Sequence, residues 1–319
     1  MKVRGARRFR EQKWLLDSVV STIGLDWDLL RMATVTAPIG FEGMGDWAVV
    51  AGKAKRFDDI SPSFEEVAAG REARAHEAEQ HGNEVTARES YLVASIYYGV
   101  AQWPIDEIND RNLALNAKKL DCYARYAVRA HHKIERIEIP MGKHIVPAWL
   151  HLPVAGKPPY PLVIMLPGMD TFKEKLVWAY GDKMLERGFA ALAIDGPGQS
   201  EPLMHGLKVT ADNFADAGRA CIAWTTRERT SIRTGSVFLD EASALTRRPS
   251  SPTRSPTGFA AWWSAFPVSN RASPRSSKKR RRLTKIVSCS WPATRMKPSS
   301  TNSFRGSTCE RGYPIFAVR

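Results

Sequence analysis

The stretch from Pro161 to Ser200, PLVIMLPGMDTFKEKLVWAYGDKMLERGFAALAIDGPGQS, leaves this chain the fewest options for folding. Leu162 to Leu166 is a short run almost free of polar residues, the pattern of a strand buried on both faces. Pro167-Gly168-Met169-Asp170 ends it. Thr171, with Glu174 three residues on, reads as a capping box and predicts a helix start. Leu176, Val177, Tyr180 and Met184 give that helix one apolar stripe. Phe189 to Ile194 is a second apolar strand, and Asp195-Gly196-Pro197-Gly198 turns the chain out of it. Strand, helix, strand in this order is a βαβ crossover, and its two strands run parallel.

Upstream, residues 1 to about 130 read as helical. Trp14 to Val20 and Trp27 to Met32 are short apolar-rich pieces. Ser63 with Glu66 opens a helix that runs to about Gln80, where His81-Gly82-Asn83 breaks it. Thr86 with Glu89 opens the next, TARESYLVASIYYGVAQW. On it Leu92, Ile96 and Val100 share a face, with Val93 and Tyr97 beside them. Such a stripe packs against other helices more often than it lines a pocket. A last helix is expected from about Asp110 to Ala130. From Lys133 the period changes: Ile134, Ile137 and Ile139 mark a first strand ending at Pro140-Met141-Gly142, and Ile145 to Leu152 a second, joined as a hairpin. A helix from about Asp212 to Trp224 follows the crossover, with Phe214, Ala217 and Cys221 on its apolar face.

The crossover, with two antiparallel strands before it, resembles the front half of an α/β-hydrolase. In that fold the loop after the third strand gives a backbone N–H to the oxyanion hole. The resemblance makes Gly168 and Met169 backbone oxyanion-hole candidates; any βαβ unit with a Gly-Pro turn is the plainer alternative. The Thr86-Ala87-Arg88-Glu89-Ser90-Tyr91-Leu92 helix, the Gly168-Met169-Asp170 loop and the Asp195-Gly196-Pro197-Gly198 turn together resemble the esterase FrsA-like group. That group joins an N-terminal helical region to an α/β-hydrolase core. It includes 2,6-dihydroxypseudooxynicotine hydrolase and fungal polyketide-shortening hydrolases, some of which cleave carbon–carbon bonds next to a ketone. The resemblance covers roughly residues 10 to 224. It implies a small-molecule substrate and a Ser-His-Asp triad, and it brings no cofactor or metal.

The 319 residues hold no apolar window of about 18 residues that could cross a bilayer. The basic N-terminus leads into no apolar core of the secretory kind. Cys122, Cys221, Cys289 and Cys309 lie far apart, with neither metal-ligand spacing nor a disulfide framework, so a cytoplasmic protein is expected. The net charge of +14 is unevenly placed: residues 225–319 hold 19 Lys and Arg against 4 Asp and Glu, which leaves the first 224 residues at −1. The basic balance therefore needs its own explanation.

The hydrolase pattern stops where the charge begins. No G-x-S-x-G occurs anywhere, and the seven histidines (His76, His81, His131, His132, His144, His151 and His205) all precede residue 206. A triad of this order needs a nucleophile elbow and a late histidine as base. From Thr225 on, Arg, Ser and Pro dominate and the hydrophobic period is lost. Three readings compete: a basic disordered tail whose Lys278-Lys279-Arg280-Arg281-Arg282 run binds nucleic acid or another acidic partner, an unfamiliar second domain, and a reading-frame error. Permitted codons for Glu228 to Ala244, read from each third base, can spell T-D-V-D-P-D-R-I-G-V-F-G-R-S-F-G. That is a loop, a strand and an elbow where the fold requires them. The tail's arginines are scattered among Ser and Pro without regular aromatic interleaving, which weighs against a nucleic-acid site.

The expected architecture is α/β: an incomplete α/β-hydrolase fold with an N-terminal helical cap region. Residues 1–130 form the cap, 131–224 the first half of the core, and 225–319 a basic, out-of-frame and disordered segment. The outer edge of the Leu162–Leu166 strand is expected to lack a partner and to promote aggregation.

Overall fold

The computed structural model describes residues 4–168, 170–179, 183–227, 232 and 237–240. Six helices come first: α1 (Arg4–Ile23), α2 (Leu29–Thr36), α3 (Phe41–Lys53), α4 (Ile60–Gln80), α5 (Glu84–Gln102) and α6 (Asp110–Ala127). The α4–α5 break sits at the expected place. Gly82 takes a φ of 71°, and the Asn83 N–H reaches back to the Ala78 carbonyl at 2.8 Å. Both expected capping boxes are displaced. α4 starts three residues before Ser63, whose hydroxyl donates back to the Asp59 carbonyl at 2.7 Å, and Glu66 pairs with Lys53 instead. α5 resumes directly after Asn83, so Thr86 lies inside its first turn. α6 ends at Ala127, three residues short of expectation. α3 had no sequence reading of its own; three glycines, Gly43, Gly45 and Gly52, interrupt it.

The aromatic stripe of α5 packs. Tyr91, Leu92, Ile96, Tyr97, Tyr98 and Val100 are buried in one core with Phe64 of α4 and Tyr123 and Tyr126 of α6. Alanines 68, 75 and 78 let α4 lie close against α5. Polar tips are anchored at the rim: Tyr91 to Glu79, Tyr97 to Asp46 at 2.8 Å and Tyr98 to Glu72 at 2.6 Å. Buried tyrosines need such partners.

Five strands form one sheet in the order β1-β2-β4-β3-β5: β1 (Ile134–Met141), β2 (His144–His151), β3 (Leu162–Leu166), β4 (Ala190–Ile194) and β5 (Val237–Asp240). β1 and β2 form the expected hairpin, β2 pairs antiparallel to β4, and β3 runs parallel to both β4 and β5. The expected unpaired edge of β3 is therefore corrected. Val163 to Leu166 pair with Val237 to Asp240, and Tyr160 bridges to Ile232. Val237-Phe238-Leu239 is a short apolar run of strand-forming residues, sufficient for a four-residue pairing.

Between β3 and β4 the helix is also unlike the expectation. Thr171 and Glu174 make no capping box. Lys173–Lys175 form a 3-10 turn, followed by α7 (Leu176–Ala179) and α8 (Lys183–Glu186). Tyr180 of the expected stripe lies outside the described residues. After β4 come α9 (Ser200–Met204) and α10 (Asn213–Arg227), the latter reaching three residues past Trp224. β3 and β4 are buried throughout, one face against α10 and β2, the other against Leu176, Val177 and Leu185. Helices and sheet belong to one unit spanning Met1–Pro267. No helix among the described residues is long and apolar enough to cross a membrane.

Candidate active site

The carboxyl ends of β3 and β4 carry two adjacent loops, residues 167–175 and 195–200, in the crevice where an open α/β sheet binds its ligands. Gln199 ties them together. Its amide NH2 donates to the carbonyls of Pro167 (2.7 Å) and Gly168 (3.0 Å), and its amide oxygen accepts the Gly196 N–H at 2.6 Å. A Cβ on Gly196 would stand 2.6 Å from the Phe214 ring, so glycine is what lets the second loop pass under α10. Of the two residues proposed for the oxyanion hole, Gly168 stands in this clamped loop and Met169 lies outside the described residues.

Beneath the loops is a closed network of charge. Lys173, with no exposed surface, puts its ammonium 2.6 Å from Glu201, 2.7 Å from Glu174 and 2.9 Å from Asp195. Its backbone N–H also donates to Asp195, at 2.8 Å. Arg136 of β1 grips Glu201 through both terminal nitrogens. Trp149 of β2 donates its indole N–H to Glu174 at 3.0 Å. Lys119 of α6 reaches in from the cap, donating to the Ser200 hydroxyl, with Glu174 at 3.7 Å. Ser200 holds a φ of 24°, in the strained left-handed region.

The three carboxylates converge closely enough to hold a metal ion. The Lys173 ammonium, bonded to all three, already stands where a cation would, so the donor set does not call for one. Burial opposes the charged form of every member, and opposite charges outweigh it at Lys173, Glu174 and Glu201. Against burial, the three carboxylates raise Lys173, and Lys173 with Lys119 hold Glu174 down at about 2. Lys173 and Arg136 likewise hold Glu201 down. Asp195 goes the other way, raised by burial and by the neighbouring Glu174. Lys119 is lowered, by burial first.

A second chain of polar groups ties α6 to the sheet. His132 Nε2 lies 2.8 Å from His151 Nδ1, and His151 Nε2 lies 3.2 Å from the Tyr123 hydroxyl. Tyr123 packs on Trp149 with ring centroids 4.8 Å apart. Burial keeps both imidazoles neutral, His132 down to about 4 and His151 well below its usual value. On the outer side, Arg31 of α2 pairs with Asp170 and stacks over Trp103 at 3.8 Å.

Sequence reasoning singled out the two loops and missed the network beneath them. One signal was available: Asn112, Asn116, Lys119 and Tyr123 fall at helical spacing on one buried face of α6. A polar row on an inward face announces a polar counterpart. The identity of that counterpart was hidden, because Glu174 reads locally as a cap.

The esterase FrsA-like family model matches residues 65–212. The α/β hydrolase gkaG of Penicillium citrinum is 30% identical over 182 residues, covering 54% of this chain and 42% of that protein. The α/β hydrolase pydG of an Acremonium species is 29% identical over 187 residues, 56% of this chain and 43% of that protein. The hydrolyase poxO of Penicillium oxalicum is 30% identical over 181 residues, 54% and 43%. The match thus spans less than half the length of these curated relatives. The crystal structure of 2,6-dihydroxy-pseudo-oxynicotine hydrolase superposes with a TM-score of 0.54 at 23% identity, over 66% of this chain and 57% of that one, a likeness of fold.

Proposed function

Residues 65–212 being those of an FrsA-like α/β-hydrolase, we propose that this chain derives from a hydrolase of small ketone or acyl substrates whose catalytic half is read out of frame. The observation that carries this reading is the pairing of β5 with β3. The sheet continues where the fold places its nucleophile strand, yet Asp240-Glu241-Ala242-Ser243-Ala244 follows in place of an elbow. In the shifted frame permitted codons can spell I-G-V-F-G-R-S-F-G, with the elbow serine straddling Glu241 and Ala242. The strand would keep its place, and the glycines that relieve the crowding of a sharp turn would return.

Intact machinery of this kind uses a serine nucleophile, a histidine base and an aspartate orienter, with N–H groups near Gly168 and Met169 holding the oxyanion. The Gln199 clamp supports that assignment, since an oxyanion hole works only if its loop is already in place. The 319 residues carry the loop without an elbow or a late histidine, so no triad-based turnover is expected. Two measurements test this. Resequencing the gene through the codons for residues 215–250 should reveal one base gained or lost, with a downstream histidine in the corrected chain. Purified protein should leave a fluorophosphonate serine probe unreacted; strong labelling would sink the inactivity.

A further inference from the structure

Two lysines lie buried side by side, and their surroundings differ. Lys173 has a carboxylate oxygen for each ammonium hydrogen, all within 2.6–2.9 Å. Lys119, equally without exposed surface, has the Ser200 hydroxyl and one Glu174 oxygen at 3.7 Å, a separation beyond hydrogen bonding. The face of the Phe172 ring, 5.3 Å away, closes one side. A buried ammonium left short of acceptors is destabilised relative to the free amine, and a second cation nearby adds to that. Burial and Lys173 both push the Lys119 amine in that direction, with Glu174 opposing.

Three further buried side-chain atoms on α6 and the β3 loop lack hydrogen-bond partners. Asn116, one helical turn before Lys119, has no partner for its side-chain oxygen, and neither do the Thr171 hydroxyl and the second Glu174 oxygen. Buried polar atoms without partners are rare in a folded chain and point to a missing occupant. Ser200, whose hydroxyl the Lys119 amine touches, is half-buried.

We propose that Lys119 is a nucleophilic lysine that condenses with a small, uncharged carbonyl compound of the ketone or 1,3-diketone class. The amine lone pair attacks the carbonyl carbon and the C=O pair moves to oxygen, giving a carbinolamine. The Ser200 hydroxyl, in contact with the nitrogen, relays the two N–H protons to that oxygen in turn; the first completes the carbinolamine, and the second lets the oxygen leave as water while the nitrogen lone pair forms the C=N bond. Amine plus carbonyl becomes imine plus water, with no other reactant. An uncharged ligand is specified because, with Lys119 as the free amine, Lys173 and Arg136 face the carboxylates of Glu174, Asp195 and Glu201, and an anionic ligand would be repelled. The chemistry needs only α6 and the β3 and β4 loops, so it stands apart from the reading-frame question.

The test is acetylacetone, added to the purified full chain near neutral pH. Its condensation with an amine gives a conjugated enaminone that absorbs in the near ultraviolet. Peptide mapping should place one adduct on Lys119, formed at least about tenfold faster than on its exposed neighbour Lys118. The Lys119 rate should level off well below about pH 10, where a solvated lysine does. Lys119→Arg, with its fold checked by circular dichroism, should lose the band, and Ser200→Ala should slow it. Modification of Lys119 only in denaturant, or at no more than the Lys118 rate, would overturn the proposal.

Discussion

The helical core and the crevice at the sheet's carboxyl edge are about equally buried and solve burial in opposite ways. In the helical core Tyr91, Tyr97 and Tyr98 each carry their hydroxyl to a carboxylate at a rim that water reaches: the Glu79 side chain keeps 30% of its surface and Asp46 keeps 17%. In the crevice, Lys173, Glu174 and Asp195 keep none, and they must satisfy each other. The first arrangement tolerates errors because water can repair a lost contact. The second cannot. Closed ion networks of this sort stabilise little relative to apolar packing, yet losing one member is expensive. Retaining such a network beneath two loops makes sense if it fixes those loops for chemistry.

The largest expected effect tests that contrast directly. Lys173→Met removes the common partner of three buried carboxylates, which should destabilise the chain by about 3–5 kcal/mol. Urea unfolding followed by tryptophan fluorescence would measure it. A loss under about 1 kcal/mol, the scale of a surface ion pair, would mean that water enters the crevice and the two regions are alike.

Next comes the seam between the regions. Gly99 of α5 faces Phe172 of the β3 loop so closely that an added Cβ would stand 2.3 Å from the ring. Gly99→Ala must push α5 and the loop apart, at about 1–3 kcal/mol for an overpacked core, against the small helix-propensity gain. Gly70 of α4, whose Cβ would meet nothing within 4 Å, is the control: Gly70→Ala should be neutral or slightly stabilising.

How much of this was legible beforehand follows the same division. The strands announced themselves, since a sheet buried on both faces leaves no polar residue in Leu162–Leu166 or Ala190–Ile194. The helical core was equally visible in the period of Leu92, Ile96 and Val100. Helix starts were not: the Ser63 hydroxyl bonds back to the Asp59 carbonyl, Thr86 lies inside the first turn of α5, and the Thr171 hydroxyl caps nothing. Glu174 is the clearest instance. Its local spacing says cap, while the Trp149 indole and Lys119, both from distant segments, and the adjacent Lys173 decide its place. Charged residues that meet through the fold leave no periodic trace in the chain. β5 escaped for another reason: four residues inside a basic, serine-rich stretch give no period to read.

Acid should separate the regions more gently. His132 and His151 bridge cap and sheet, and both are neutral when folded. In the unfolded chain a histidine takes up a proton as pH falls through about 6.5. The folded chain resists, His132 until about 4, and burial lowers His151 in the same direction. The unfolded state therefore binds more protons, and stability present above about pH 6.5 is lost on acidification toward 4. Melting temperatures at pH 7.5 and 5.0 should fall further for the native sequence than for His132→Asn, which removes one of the two sites. Equal drops would show that the imidazole pair does not couple cap to sheet.

The smallest quantity to read, a difference between two coupling energies, is the most discriminating, because it compares one contact in two settings. Trp149 and Tyr91 are aromatic donors to a carboxylate, Glu174 in the crevice and Glu79 at the rim. Trp149→Phe leaves a buried carboxylate oxygen short of a donor and should cost about 1.5–3 kcal/mol, in the range for bonds to charged groups. Tyr91→Phe leaves Glu79 with Arg125, Arg129 and solvent, and should cost about 0.5–1.5 kcal/mol. The indole substitution also removes ring volume, so the fair measure is the difference that remains after comparing each with Glu174→Gln and Glu79→Gln in a double-mutant cycle. If the coupling energies coincide, burial alone does not set the worth of these bonds. A crevice coupling clearly larger than the rim coupling means that the network beneath the loops is dry.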